Sequence, residues 1–252
     1  MNMRAVNSLP LKGRRLIEWL DRTLVWSMPG YCCFCLAGTV GDKPWCERCF
    51  TELPWHTSAC PLCSEPRPSS VPADMPCGHC LKQRPDFDQS WVPFLYEDDI
   101  ASLIQRFKFN ADRRAGQILL QLMVQAFRAR HGPGHVQAIV TADLHPGRAR
   151  ERGFDQTLWL GRRMARELDL PLYQAIRRRL TPTQRGLSRL ARKRNVYHVY
   201  QVTSPLPSQV LLLDDVMTTG ATLEALSSAC REQGATHVTA SAVARTPAGR
   251  AI

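Results

Sequence analysis

The chain has 252 residues and a formal net charge of +11, from 33 Lys plus Arg against 22 Asp plus Glu. A hydrophobic share of 44% with 22% charged and 8% aromatic residues fits a folded globular protein and excludes disorder as the main state. No tract approaches the roughly 18 unbroken apolar residues of a bilayer span.

The N-terminal segment, residues 8 to 27, reads as an amphipathic helix with Leu16, Ile17, Leu20 and Leu24 on one side. Glu18 and Asp21 interrupt its apolar run, so no secretory leader is predicted and the expected location is cytoplasmic. This helix is assigned to residues 1–28.

Residues 29–84 form a cysteine module. Nine of the ten cysteines fall between Cys32 and Cys80, and eight make four C-x-x-C pairs: Cys32/Cys35, Cys46/Cys49, Cys60/Cys63 and Cys77/Cys80. Each pair can present two thiolates to one ion, and two pairs complete a tetrahedral S4 shell, which suits two structural Zn(II) sites. An iron–sulfur cluster is the rival occupant. Both a sequential and a cross-braced pairing satisfy the spacing; ten residues between the first two pairs allow a short hairpin, which favours the sequential scheme. So short a module without hydrophobic periodicity buries little core, and metal ligation supplies the missing folding free energy, about 10–16 kcal/mol apparent per structural site. Cys33 reads as a bystander, His79 as a spacer, and Cys230 as the buried face of a later helix.

Residues 85–252 alternate strand and helix patterns. Trp91 to Tyr96, Ala138 to Ala142, Gln209 to Leu213 and His237 to Ala244 read as strands; 112–130, 155–168 and 221–233 have helical apolar spacing. The predicted class is α/β, a parallel sheet with helices on both faces, whose ligands gather at the carboxyl ends of strands.

The segment Val210-Leu-Leu-Leu-Asp-Asp-Val-Met-Thr-Thr-Gly-Ala-Thr222 carries the chemistry. Its apolar strand delivers Asp214 and Asp215 at its end. Thr218, Thr219, Gly220, Ala221 and Thr222 then turn into a helix, where free N–H groups, hydroxyls and the helix dipole converge on an anion. Two carboxylates beside an anion cradle repel it unless they bind hydroxyls or a divalent ion. A ribose 5-phosphate meets both demands, with its 2- and 3-hydroxyls on the acids and its phosphate in the turn. A second cluster, Leu144-His145-Pro-Gly-Arg148-Ala-Arg150-Glu-Arg152, follows the strand ending at Ala142 and suits a pyrophosphate. A third, Thr181 to Asn195, is a basic loop able to close over a ligand. Residues 141 to 200 hold 14 basic and 5 acidic side chains, +9 of the total +11, which points to a phosphate-rich ligand.

The Asp-Asp to Thr222 run resembles the phosphoribosyl pyrophosphate (PRPP) motif of type I phosphoribosyltransferases. With three clusters in order behind four cysteine pairs, the chain resembles the competence protein F (ComF) family, including its GntX-like DNA-utilisation members, from about Tyr31 to Ala244. That resemblance implies a zinc-ribbon module on a Rossmann-like type I phosphoribosyltransferase domain, linked to uptake or use of external DNA in bacteria. It implies that Asp214 and Asp215 bind ribose as the catalytic acids, with Mg(II) accompanying PRPP. Thr218, Thr219, Gly220, Ala221 and Thr222 would take the 5-phosphate. It further implies that His145, Arg148 and Arg152 take the pyrophosphate, and that Gln184, Leu187, Arg192 and Asn195 match the flexible-loop pattern. Two segments depart from the family pattern, Thr141-Ala-Asp-Leu-His145 and Arg152-Gly-Phe-Asp-Gln156, and in them Asp143 and Asp155 each add negative charge beside the pyrophosphate loop, where it either helps to hold Mg(II) or repels the ligand.

Two functions follow as expectations. One is a PRPP-dependent phosphoribosyltransferase in which a nitrogen nucleophile of unread identity displaces pyrophosphate from C1. The other is a non-catalytic, zinc-containing adaptor of the DNA-uptake machinery that grips single-stranded nucleic acid through its arginines.

Overall fold

The computed structural model describes residues 30–39, 43–130, 136–142, 154–177 and 199–247; the helix expected over 8–27 lies outside them. Contacts divide the chain into two compact units, Met1–Leu53 and Pro54–Ile252. This division falls inside the 29–84 cysteine module and not at 84/85. The cause is local: the Ser90 N–H donates to the Pro61 carbonyl at 3.0 Å and the Ser64 and Ser90 hydroxyls meet at 2.7 Å, so the second cysteine quartet grows out of the sheet-bearing unit.

In the first unit β1 (Gly30–Tyr31) pairs antiparallel with β2 (Gly38–Thr39), and α1 (Glu47–Glu52) follows. Among its described residues the apolar filling is slight: Trp45 and Leu53 are buried, and the Trp45 and Phe50 rings stack at 5.7 Å.

The second unit runs α2 (Gly78–Lys82), β3 (Gln89–Trp91), β4 (Phe94–Leu95), α3 (Asp98–Phe109), α4 (Arg113–Arg130), β5 (Ala138–Ala142), α5 (Gln156–Leu168), β6 (Leu172–Arg177), β7 (Tyr200–Gln201), β8 (Gln209–Met217), α6 (Ala221–Glu232) and β9 (His237–Arg245). Its sheet has the order β3-β9-β8-β5-β6-β7, with β4 also on β9. All of its pairs are parallel except β6 with β7. This is the α/β class that the strand–helix alternation predicts. The central strands are apolar on both faces, as strands covered on both sides must be: Ile139, Val140, Leu211, Leu212 and Ala240 are fully buried.

Most expected elements lie within a residue or two of their predicted bounds. Two differences bear on function. The strand expected over Trp91 to Tyr96 is two short ones, broken at Val92-Pro93, because proline has no N–H to offer the ladder. More consequentially, β8 does not stop at Leu213. It continues through both aspartates to Met217 because β9 continues beside it, pairing Asp214 with Ala242, Val216 with Ala244 and Met217 with Arg245. Among the described residues no helix is long and apolar enough to cross a membrane.

Candidate functional site

The connection from β5 through α5 winds to β6 on one side, and that from β8 through α6 winds to β9 on the other. The boundary between β5 and β8 is therefore where the strand order reverses, the crevice in which doubly wound sheets take ligands. Pairing of β5 with β8 ends at Thr141 opposite Leu213, so Asp214 and Asp215 are the first β8 residues beyond its β5 partner. Both are half-buried.

Successive strand residues point to opposite faces, and the two acids meet different surroundings. The Asp215 Oδ1 forms an ion pair of 2.8 Å with the Lys108 ammonium near the end of α3, the two side chains being 15% and 12% exposed. The Asp214 Oδ1 accepts the backbone N–H of Asp215 at 2.8 Å. Burial pushes the Asp214 carboxyl up to about 7; the neighbouring Asp215 charge and that of Asp155 add to this, while the Asp215 N–H and Lys108 oppose it. Near neutrality the Asp214 carboxyl is therefore divided between its protonated and ionised forms.

The turn after β8 leads into a glycine-capped helix start. Gly220 is the N-cap of α6 at φ +81°, a left-handed conformation that favours glycine, and a Cβ there would come 3.1 Å from the Met217 methyl. Having no side chain, Gly220 offers no acceptor of its own to the first-turn N–H groups, which helices leave without internal partners. Thr218, Thr219, Ala221 and Thr222 are exposed around it, and the Thr219 hydroxyl accepts weakly from the Ala221 N–H at 3.4 Å. The five predicted turn residues and the two acids thus lie on one continuous stretch at the carboxyl end of β8.

His145, Arg148, Arg150, Arg152 and Asp143 lie outside the described residues, as do Gln184, Leu187, Arg192 and Asn195. Asp155 is described, and its position gives it a structural duty. It is the N-cap of α5, its carboxylate accepting the Leu158 N–H at 2.8 Å.

Sequence reasoning misses Lys108. Helix α3 is not among the elements read from the chain, although Ile100, Leu103, Ile104 and Phe107, all buried, carry the i, i+3, i+4, i+7 spacing that finds it. The ring of Phe107 packs edge-on to Phe154 at 5.3 Å and to Trp159 at 5.2 Å, seating the end of α3 against the start of α5 and so placing Lys108.

The cysteines form two quartets, Cys32/Cys35/Cys46/Cys49 and Cys60/Cys63/Cys77/Cys80, with the sulfurs of each all within 4.8 Å of one another. The pairing is the sequential one. Cys35 and Cys46 sulfurs are 3.7 Å apart and Cys63 and Cys77 sulfurs 3.6 Å. A tetrahedron with metal–sulfur bonds of about 2.3 Å has edges of about 3.8 Å, so the spacing fits a four-coordinate metal such as zinc and is too long for a disulfide. The two quartets also share one fold. Leu36 and Ser64, each just after its pair, are left-handed at φ 61° and 51°, their N–H groups donating to Cys32 and Cys60 carbonyls at 3.0 and 2.9 Å. Cys32 and Cys60 N–H groups in turn donate to Ala37 and Glu65 carbonyls at 2.8 and 2.9 Å. Cys46 and Cys77 are the N-cap residues of α1 and α2. Neither quartet includes Cys33 or His79, and Cys230 is fully buried in α6, as expected.

Competence protein F of Haemophilus influenzae is 32% identical to the chain over 212 residues, covering 80% of this chain and 85% of that protein. The chain belongs to the competence protein F family. DNA utilization protein YhgH of Escherichia coli K12 is 28% identical over 227 residues, 87% of this chain and 99% of that protein. No protein-family model matches the chain. Solved structures with similarity to it include purine phosphoribosyltransferase of Pyrococcus horikoshii, at 16% identity and TM-score 0.36 over 55% of this chain and 91% of that one. Adenine phosphoribosyltransferase of Leishmania tarentolae is similar at 16% identity and TM-score 0.35, over 58% and 60%.

Proposed function

We propose that this member of the competence protein F family binds PRPP with Mg(II) at the carboxyl end of β8 and acts in the use or uptake of external DNA. The observation that carries the site is the placement of Asp214 and Asp215 at the strand-order reversal, continuous with a glycine-capped, hydroxyl-lined helix start. The role in DNA use is supported by the names of its relatives, competence protein F and DNA utilization protein.

In this reading the helix start and the Thr218, Thr219 and Thr222 hydroxyls receive the 5-phosphate, and the acids accept the ribose hydroxyls. His145, Arg148 and Arg152 are assigned to the pyrophosphate, and Gln184, Arg192 and Asn195 to the loop over it. Lys108 pairs with Asp215 before a ligand arrives, and Mg(II) bound with the substrate would offset the pyrophosphate charge. Where a nitrogen acceptor is present, its lone pair forms the bond to C1 as the C1–O bond breaks and pyrophosphate leaves with that electron pair. The carboxylates lie where a ribosyl centre gaining positive charge is stabilised.

Calorimetry tests the site: Mg(II)-dependent heat with PRPP is expected from the zinc-loaded chain and none from Asp215→Asn with metal content and fold retained. Undiminished heat from that variant removes the assignment. The charge of residues 141 to 200, 14 basic against 5 acidic, favours one further activity, binding of single-stranded nucleic acid. A labelled oligonucleotide titrated at two salt concentrations is expected to bind with steep salt dependence; no binding at low salt removes this second reading.

A further inference from the structure

Arg245, the last residue of β9, is 4% exposed, and its guanidinium joins two distant parts of the chain. Nη1 donates to the carbonyls of Met217, at 3.0 Å, Thr218 and Thr246. Nε donates to the carbonyl of Cys63 at 3.2 Å, and Nη2 pairs with Glu65 at 2.6 Å. Of the first set of acceptors, Met217 and Thr218 open the turn after β8. The second belongs to the Cys60–Cys63 knuckle: Cys63 is one of the four thiols of the second quartet, and the Glu65 carbonyl accepts the N–H of Cys60. A guanidinium is planar with its donors in a rigid fork, so a shift of one set of acceptors cannot be absorbed without loss at the other.

We propose that Arg245 is a positioning residue that makes the β8 turn depend on metal occupancy of the Cys60/Cys63/Cys77/Cys80 quartet. A bound ion fixes Cys63 and with it the carbonyl and the Glu65 carboxylate that orient the guanidinium. The oriented guanidinium then holds Met217 and Thr218 and sets the direction in which the chain enters Gly220. Without the ion the knuckle keeps its own hydrogen bonds and those to Ser90, but the Cys63 thiol is no longer fixed and the fork's anchor loosens. The consequence for a ligand rests on the reading of this turn as the phosphate cradle; the coupling between knuckle and turn does not.

Hydrogen exchange of the full-length chain tests the coupling without any ligand. In the wild type, stripping the metal with a chelator is expected to speed exchange of the Thr246 and Glu224 amides, which donate to the Met217 and Gly220 carbonyls on either side of the turn, about tenfold or more, while those of β5 and α4 hold. Restoring zinc reverses the change. In Arg245→Lys, which keeps the charge and loses the fork, the turn exchanges fast with metal bound and no faster without it. Cys77→Ser is expected to reproduce the effect of stripping and Cys46→Ser is not; should Cys77→Ser fail to fold, the reversible stripping of the wild type decides. Unchanged exchange at the turn while residues 60–80 lose protection overturns the proposal. PRPP with Mg(II) is then titrated into loaded and stripped protein, with about tenfold weaker binding expected on stripping. Absence of PRPP binding to the loaded protein removes the ligand reading and leaves the coupling to be judged by exchange alone.

Discussion

Asp214 is an acid held well away from its ordinary state. Its carboxyl is raised to about 7 by burial first and by the Asp215 charge second, against about 3.9 in an unfolded chain. A folded state that holds a proton more tightly than the unfolded one loses stability as pH rises between those two values. Denaturation of the wild type and Asp214→Asn between pH 4 and 8 should show this as a decline present in the first and missing from the second. Binding of Mg(II)-PRPP, which favours the ionised acid, should strengthen as pH rises through about 7 and release a proton, read as a dependence of calorimetric heat on buffer ionisation enthalpy. Lys108 governs the other acid. Removing one partner of a largely buried ion pair leaves an uncompensated charge and costs about 3–5 kcal/mol when burial is complete. Lys108→Met should therefore destabilise by about 2–3 kcal/mol, and the double variant with Asp215→Asn should recover most of it in denaturant titrations. Both aspartates are legible in the sequence because a vicinal acid pair before a Thr-Thr-Gly turn is a local pattern. Lys108 is 107 positions away from Asp215 along the chain and joins it only through folding.

The helices that carry these residues are placed by contacts that a linear pattern does not register. Gly161 in α5 lies so close to β5 that an added Cβ would sit 2.5 Å from the Thr141 methyl. Alanine gains about 1 kcal/mol over glycine from helix propensity, but overpacking costs about 1–3 kcal/mol. Gly161→Ala is expected to be net destabilising by about 1 kcal/mol and Gly161→Val by more, with falling thermal midpoints as the check. The reading of β8 as ending at Leu213 shows the same limit from another side. Acids are poor strand formers, yet the backbone of β9 continues to offer its ladder and carries β8 four residues further, to Met217. An element with a strong repeating pattern of its own, such as α4 or α6, is legible to within a residue or two. An element whose end is set by its neighbour is not.

For the whole molecule, the two cysteine quartets divide the labour of folding unequally. Among the described residues of the first unit there is little apolar filling around Cys32, Cys35, Cys46 and Cys49, which are expected to lean on the ion for their order; the second has the sheet and its helices. Two metal ions per chain are expected by elemental analysis, and chelation should expose the first unit to protease while the sheet survives. Metal retention should also fall with pH. Although burial opposes it, backbone N–H groups hold the Cys32 thiol down to about 6 and that of Cys60 to about 7, while burial pushes Cys63 up to about 12. Protons therefore compete for the raised thiols throughout and for all of them in acid, so a competing chelator should strip metal more completely at pH 5.5 than at 7.5.

The sequence by itself determined what depends on local spacing. The C-x-x-C pairs specify metal sites because two thiolates three residues apart meet one ion in any turn. The Asp-Asp-Val-Met-Thr-Thr-Gly-Ala-Thr run specifies an acid pair beside a glycine-capped helix start because strand, turn and helix are consecutive. Tertiary structure alone decided that the second quartet belongs to the sheet-bearing unit, that Lys108 neutralises Asp215, and that Arg245 spans the Cys63 carbonyl and the Thr218 turn. Each is a meeting of groups far apart along the chain, fixed by sheet order and helix packing, and a one-dimensional pattern carries no term for such distances.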